Sequence, residues 1–247
     1  MIRLGSLFSG IGGLELGIER AASSAGLEAV TVWQVERDQF ARRILKKHWP
    51  NATRFDDVFE FPPTDAAGLE VDLICGGFPC QPVSIAGKQK GANDERWLWD
   101  EMRRICEVLR PRFILAENVP GLLSAGTFRG QLFGNILRDL AALGYYVEWD
   151  CIPASAVGAA HRRDRVFILA DTDDPGRQEQ RRTESAQAQH SATERRRQWS
   201  PEPDVCRVVN GVSDRVDRVK RLRCLGNAVV PQVAELVGGW IFDRLKT

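Results

Sequence analysis

Phe78-Pro79-Cys80-Gln81-Pro82 follows the apolar run Val71–Cys75 and the turn Gly76-Gly77, so Cys80 stands in a proline-flanked loop where a strand runs out. Free cysteine is ordinarily buried and inert. Cys75, Cys106 and Cys151, each in or beside an apolar stretch, fit that description; Cys80 does not. A thiolate is a strong nucleophile even when only a small fraction of the thiol is ionised at neutral pH. The next apolar run, Arg112–Ala116, delivers Glu117-Asn118-Val119 to the same end. A glutamate held there out of water has a raised pKa and can donate a proton; the plainer alternative is a cap on a strand–helix connection. Sulfur nucleophile and carboxylic acid together suit an electron-poor heteroaromatic ring. The thiolate adds to carbon 6 of cytosine, the acid supports N3, and carbon 5 becomes nucleophilic enough to take a methyl group from a sulfonium donor. A base then removes the proton on carbon 5 and the thiol is expelled.

Such a donor needs its own site. A strand running into Ser9-Gly10-Ile11-Gly12-Gly13 and then a helix is a nucleotide-cradle arrangement, in which glycines let the backbone turn tightly and approach a ligand. It is not the dinucleotide fingerprint, because Glu15 stands at the third glycine position. That disfavours a nicotinamide-dependent oxidoreductase. Glu36 ends the second strand, where a carboxylate accepts from both hydroxyls of a ribose, and Asp57, after another short strand, is placed to accept from an adenine amino group. An adenosine without a required diphosphate is the ligand implied. His161-Arg162-Arg163-Asp164-Arg165 precedes a late strand, and its arginines could hold a pyrimidine carbonyl or phosphates; alone, the segment reads as a solvated basic turn.

The elements that must position these residues alternate. Strand patterns over Ile2–Phe8, Ala29–Val35, Val71–Cys75, Arg112–Ala116, Tyr145–Ile152 and Arg165–Ala170 are interleaved with helical spacing over Gly12–Ala25, Asp38–His48, Trp97–Leu109 and Arg129–Leu143. This alternation predicts an α/β fold with a doubly wound, mainly parallel sheet, whose ligands sit beyond the carboxyl ends of the strands. After Ala170 the chain turns rich in Gln, Arg, Ser, Thr and Glu and almost empty of aliphatic residues, a composition that predicts a flexible insertion. Order is expected to resume near Val205, and Asn227–Leu245 reads as one closing amphipathic helix. The division expected is 1–170 for cofactor and catalysis, 171–225 for a short insertion, and 226–247 for a helix packing back.

Bulk properties narrow the class. The six cysteines are scattered without a CxxC pair, so neither a metal site nor a disulfide scaffold is expected, and reduced thiols point to the cytoplasm. No apolar run is long enough to cross a bilayer. A net charge of +1 does not exclude nucleic acid, because binding depends on where charge sits.

These residues, in this order, resemble one family, the DNA cytosine-5 methyltransferases. Phe8-Ser9-Gly10-Ile11-Gly12-Gly13 resembles its cofactor loop, Glu36 its ribose-binding acid and Asp57-Val58 its adenine-binding pair. Pro79-Cys80-Gln81 is similar to the nucleophile motif, Glu117-Asn118-Val119 to the cytosine-binding motif, Arg163 and Arg165 to the arginine-rich motif, and Gly226–Pro231 to the last motif. The resemblance implies a Rossmann-like fold, S-adenosyl-L-methionine as cofactor, and a monomer acting on double-stranded DNA with a flipped cytosine. A restriction endonuclease partner is left unassigned. Cys80 would attack carbon 6, Glu117 contact N3, and Arg163 and Arg165 brace the site. Phe8, Ile11, Gly13, Glu36, Asp57 and Val58 would line the cofactor pocket, together with Gly77, Pro79, Leu98, Asn227 and Val229. Ser84–Asn93 would be the loop that closes over the base, with Lys88 and Lys90 on phosphates.

The sequence departs from the family in three places. The interval Asp171–Leu225 is short for a target-recognition region, and Arg215, Arg218, Arg221 and Arg223 only partly replace the motif that normally follows it. Arg37 stands beside Glu36 where an aromatic residue is common. The rival readings are a tRNA cytosine-5 methyltransferase and a degenerate DNA-binding homologue without turnover.

Overall fold

The structure, a computed structural model, describes residues 1–62, 67–79, 97–126, 128–172 and 218–245, the side chains of 218–222 excepted. Cys80, the loop Ser84–Asn93 with Lys88 and Lys90, and the insertion from 173 to 217 with Arg215 and Val205 lie outside the described residues.

Seven strands form one sheet in the order β3-β2-β1-β4-β5-β7-β6. They are β1 (Ile2–Leu7), β2 (Ala29–Val35), β3 (Thr53–Phe55), β4 (Leu73–Gly77), β5 (Phe113–Asn118), β6 (Tyr146–Ile152) and β7 (Arg165–Asp171). The first five pair in parallel, while β7 runs antiparallel to both β5 and β6. β5 is buried along its whole length, and β7 beyond its first residue. Their sequences, FILAEN and RVFILAD, read as near-continuous apolar runs, the pattern of strands covered on both faces. Strand order reverses between β1 and β4, the place where open α/β sheets bind ligands.

Helices α1 (Gly13–Ser24), α2 (Gln39–His48), α3 (Trp99–Leu109) and α4 (Gln131–Ala142) cross between strands. The expected closing helix Asn227–Leu245 starts later, at Pro231, as α6 (Pro231–Leu245), and a further helix, α5 (Arg218–Asn227), precedes it. Pro231 opens α6, and the residue before a proline is disfavoured in the helical conformation, so the chain breaks over Ala228–Val230. Cys75 and Cys106 are buried as expected, but Cys151 is exposed, because β6 is the sheet's last strand and leaves outward positions uncovered.

α6 lies against α1 on one face of the sheet, within a cluster that includes Leu14, Ile18, Val233, Val237 and Ile241. Small residues set the approach. A Cβ on Gly17 would overlap the Ala234 side chain and stand 2.5 Å from the Pro231 carbonyl oxygen. At the far end of α6 the buried Arg244 reaches Asp171 at 3.1 Å and Glu148 at 2.8 Å, fastening the helix to β7 and β6. Because the helices cannot separate without exposing that cluster, Gly17→Val is expected to cost about 1–3 kcal/mol through overpacking. Urea unfolding monitored by circular dichroism measures it, and an unchanged midpoint would contradict the packing described.

Candidate functional site

β1 ends in a turn with three left-handed residues in five: Phe8 (φ 53°), Gly10 (φ 56°) and Gly12 (φ 88°). Gly10 and Gly12 take this conformation without strain, whereas Phe8 must be held in it. The restraints are visible. Ser9 N–H donates to the Val35 carbonyl (3.2 Å), Gly12 N–H to the Ser9 carbonyl (2.9 Å), and Gly10 N–H to Glu36 Oε2 (2.7 Å). Glu36 Oε1 accepts from the Asp38 N–H at 2.7 Å, and Asp38 caps α2 by accepting from Phe40 and Ala41. Each oxygen of Glu36 thus serves one backbone N–H and keeps a second lone pair for a ligand diol. Among the described residues a Cβ on Gly10 would meet nothing within 4 Å, and Ile11 is half-buried beside it. Among the described residues no side chain caps α1, whose N-terminal end carries the positive pole of the helix. Farther along the edge, Asp57 is exposed with Oδ1 accepting from Phe59 N–H at 2.9 Å, and Val58 is buried behind it.

The segment between α5 and α6 closes the turn from the other side. A Cβ on Gly13 would run into the Val229 carbonyl, so the two backbones touch. Arg163, at φ 39°, donates through Nη2 to the carbonyls of Gly226 (2.6 Å) and Ala228 (2.7 Å). Asn227 between them is exposed. Arg163 therefore holds the returning segment in place, a partner set that the sequence did not suggest for it.

Strand register assembles the chemistry beyond β4 and β5. Gly77 pairs with Glu117, and Glu117 with Phe167 on β7. Arg165 Nε lies 2.8 Å from Glu117 Oε1. A Cβ on Gly77 would stand 2.8 Å from Glu117 Oε2, so a bare glycine makes room for the carboxyl group. Burial pushes the Glu117 pKa up to about 7 in spite of the opposing pull of Arg165 and Arg163. Asn118 Nδ2 donates to the Phe78 carbonyl at 3.1 Å, tying the end of β5 to the chain that leads through Pro79 into residue 80. Leu98 stands at the entry to α3, packed on the same core. The predicted residues Phe8, Ile11, Gly13, Glu36, Asp57, Val58, Gly77, Pro79, Leu98, Glu117, Arg163, Arg165, Asn227 and Val229 are thus all described. Cys80 itself lies outside the described residues.

The profile of the C-5 cytosine-specific DNA methylase family matches residues 2–200. The chain belongs to that family. It is 36% identical over 171 residues to the type II methyltransferase M.BanI of Aneurinibacillus aneurinilyticus, and 38% over 165 residues to M.PspPI of a Psychrobacter species. These alignments cover 68% and 66% of this chain, and it spans 38% of the length of each of these two relatives. A solved Escherichia coli protein, prophage-encoded and assigned as a DNA modification methyltransferase, superposes with a TM-score of 0.57 at 27% identity, over 72% of this chain and 50% of that one.

One buried group of this cytosine methylase chain escaped the sequence reading. Glu15, in the first turn of α1, is fully buried under the cofactor turn, and Gln34 Nε2 donates to its Oε1 at 3.3 Å. Among the described residues, its Oε2 and the Gln34 Oε1 have no hydrogen-bond partner. Burial raises the Glu15 pKa to about 7, against the smaller opposing pull of the polar groups around it, Ser6 foremost. The signal available in sequence was only its place in the glycine motif. Below pH 4.5 folded and unfolded chains both carry the proton. Between 4.5 and about 7 only the folded chain does, so this group's stabilising contribution is lost as pH rises through that window. Glu15→Gln is therefore expected to gain stability relative to the unaltered protein between pH 4.5 and 7, by about 3 kcal/mol at most, and nothing further above it. Urea midpoints of both proteins across pH 4–8 measure the difference; a difference independent of pH would show Glu15 to be ionised in the fold.

Proposed function

We propose that this chain transfers a methyl group from S-adenosyl-L-methionine to carbon 5 of cytosine in DNA through a transient bond between the Cys80 sulfur and carbon 6. The observation that carries the reading is Glu117, buried opposite Arg165 and level with Gly77, three residues before the one cysteine set in the family's nucleophile motif.

Glu117 is the catalytic acid. With a pKa near 7 it is protonated in a good fraction of molecules at neutral pH and can give its proton to N3 of the ring. The Cys80 thiolate adds to carbon 6, and the electron pair displaced from the ring makes carbon 5 nucleophilic. After methylation a base takes the carbon 5 proton, and the carbon 6–sulfur bond breaks to restore the ring. Arg165 orients Glu117 and offers donors to the pyrimidine carbonyl. Arg163 acts at one remove, by fixing Gly226–Ala228.

The cofactor site fits an adenosyl group. Glu36 has two acceptor oxygens anchored by backbone N–H groups, a Cβ on Gly10 would meet nothing within 4 Å among the described residues, and Asp57 is exposed for the adenine amino group. Phe8, Ile11, Val58, Gly77, Pro79, Leu98, Asn227 and Val229 complete the walls. Bound there, S-adenosylmethionine supplies an electrophilic sulfonium methyl. The substrate is double-stranded DNA with the cytosine turned out of the stack, because carbon 6 is shielded inside a base stack. The type II names of the relatives support a role in restriction–modification. We further propose that residues 1–170 bind cofactor and carry catalysis, 171–225 contribute to target recognition, and 226–247 pack back on the first part. The chain would work as a cytoplasmic monomer.

Two outcomes test this. Cys80→Ala is expected to abolish transfer of labelled methyl to duplex DNA while leaving cofactor binding intact, and duplexes carrying 5-fluorocytosine should trap the unaltered protein covalently but not the variant. Turnover by the alanine variant would remove Cys80 from the mechanism, and methylation of tRNA in place of DNA would change the substrate. Because the acid form of Glu117 is needed, kcat/KM should fall as pH rises above about 7, and Glu117→Gln should lower it by about 100-fold or more. A Glu117→Gln variant that keeps both rate and pH profile would contradict that role.

A further inference from the structure

We infer that Trp49 is a positioning residue for the cofactor turn, acting from behind it through a latch to Glu19. The inference rests on the proposed methyltransferase reading but concerns residues outside the family motifs quoted for it.

Trp49 closes α2, its N–H donating to the Leu45 carbonyl at 2.8 Å. Arg54 Nη1 donates to the Trp49 carbonyl at 2.7 Å, which fixes the backbone from the β3 side. The indole N–H then donates to both oxygens of Glu19, at 2.9 and 3.0 Å. The same carboxylate accepts from the Thr31 N–H at 3.2 Å and the Thr31 hydroxyl at 2.5 Å. One acid on α1 thus joins the end of α2 to β2, and the indole has little freedom left.

The constrained ring abuts the turn. A Cβ built on Gly12 would overlap the six-membered ring of Trp49 and approach Leu45 Cδ2 at 3.3 Å, so the ring lies directly against the Gly12 backbone. Gly12 is the left-handed residue between the turn and α1. The turn is therefore gripped at two points: Glu36 holds the Gly10 N–H on the ligand side, and Trp49 backs Gly12 on the other. Removing the ring would free Gly12, which as a glycine has other conformations at little cost, and the turn would have to be ordered by the ligand. That ordering reduces affinity without touching the transfer step.

The measurements are Kd for S-adenosylmethionine and S-adenosylhomocysteine by calorimetry, and KM and kcat with duplex DNA, for the full chain. Trp49→Ala is expected to raise Kd and KM for the cofactor by about tenfold with kcat at saturation little changed. Trp49→Phe, which keeps a ring behind Gly12 but has no N–H for Glu19, should fall between, as should Glu19→Gln. The double variant Trp49→Phe with Glu19→Gln should lose no more than the larger single loss, since both break one latch. If Trp49→Ala fails to fold, the Phe and Gln variants decide. Unchanged Kd in those two, additive losses in the double variant, or a fall in kcat alone would each overturn the inference. If the unaltered protein binds no S-adenosylmethionine, the methyltransferase reading fails and takes the inference with it.

Discussion

The pairing of β4 with β1 on one side and β5 on the other ends three strands at a single level, and every proposed role depends on that alignment. Leu7 pairs with Gly76, and Gly77 with Glu117. Successive side chains on a strand point to opposite faces, so a slip of one residue would carry Glu117 to the wrong side of the sheet. Register is protected where it matters: β4 is buried except at Gly77, β5 is buried throughout, and a shift would move apolar and polar residues together. Asn118 adds a specific lock by donating to the Phe78 carbonyl, so the chain leading toward residue 80 is tied to the strand that carries Glu117.

Ionisable groups at this level are held at a cost that the surroundings offset. An unpaired buried carboxylate is expensive, and breaking such a pair is worse than never making it. Glu117 has Arg165 beside it, and Arg163 spends its own hydrogen bonds on two backbone carbonyls. The last helix is consequently tethered by arginines near both ends, with Arg163 holding the segment before Pro231 and Arg244 joined to Asp171 and Glu148 beyond it. Close packing of α1 on α6 fills the distance between those ties.

Much of this was legible in the residues. Ala29–Val35 read as a strand with the observed bounds, and the alternation of strand and helix patterns gave the fold class, because buried parallel strands announce themselves as apolar runs. The place of Glu36 just beyond the end of β2 was legible from the strand pattern. What pattern could not show was partnership at long range. Arg163 reads as a substrate-facing cation until its acceptors, Gly226 and Ala228, are seen to come from more than sixty positions away. Glu15 enters the sequence reading only as the residue at the third glycine position and Trp49 not at all; tertiary contact places one beneath the glycine turn and the other behind it. The proline at 231 was visible, but the break before it was missed because helical spacing runs across the gap.

The contact between Gly13 and Val229 joins the first turn of the chain to one made more than two hundred residues later. The glycine turn therefore gains its backing wall only when segments this far apart in sequence have come together. Among the described residues, α6 is the helix that covers the apolar side of α1 around Leu14, Ile18 and Ala21. A contact between segments so far apart in sequence must close a long loop before it contributes, which makes the docking of α6 on α1 a non-local step of folding.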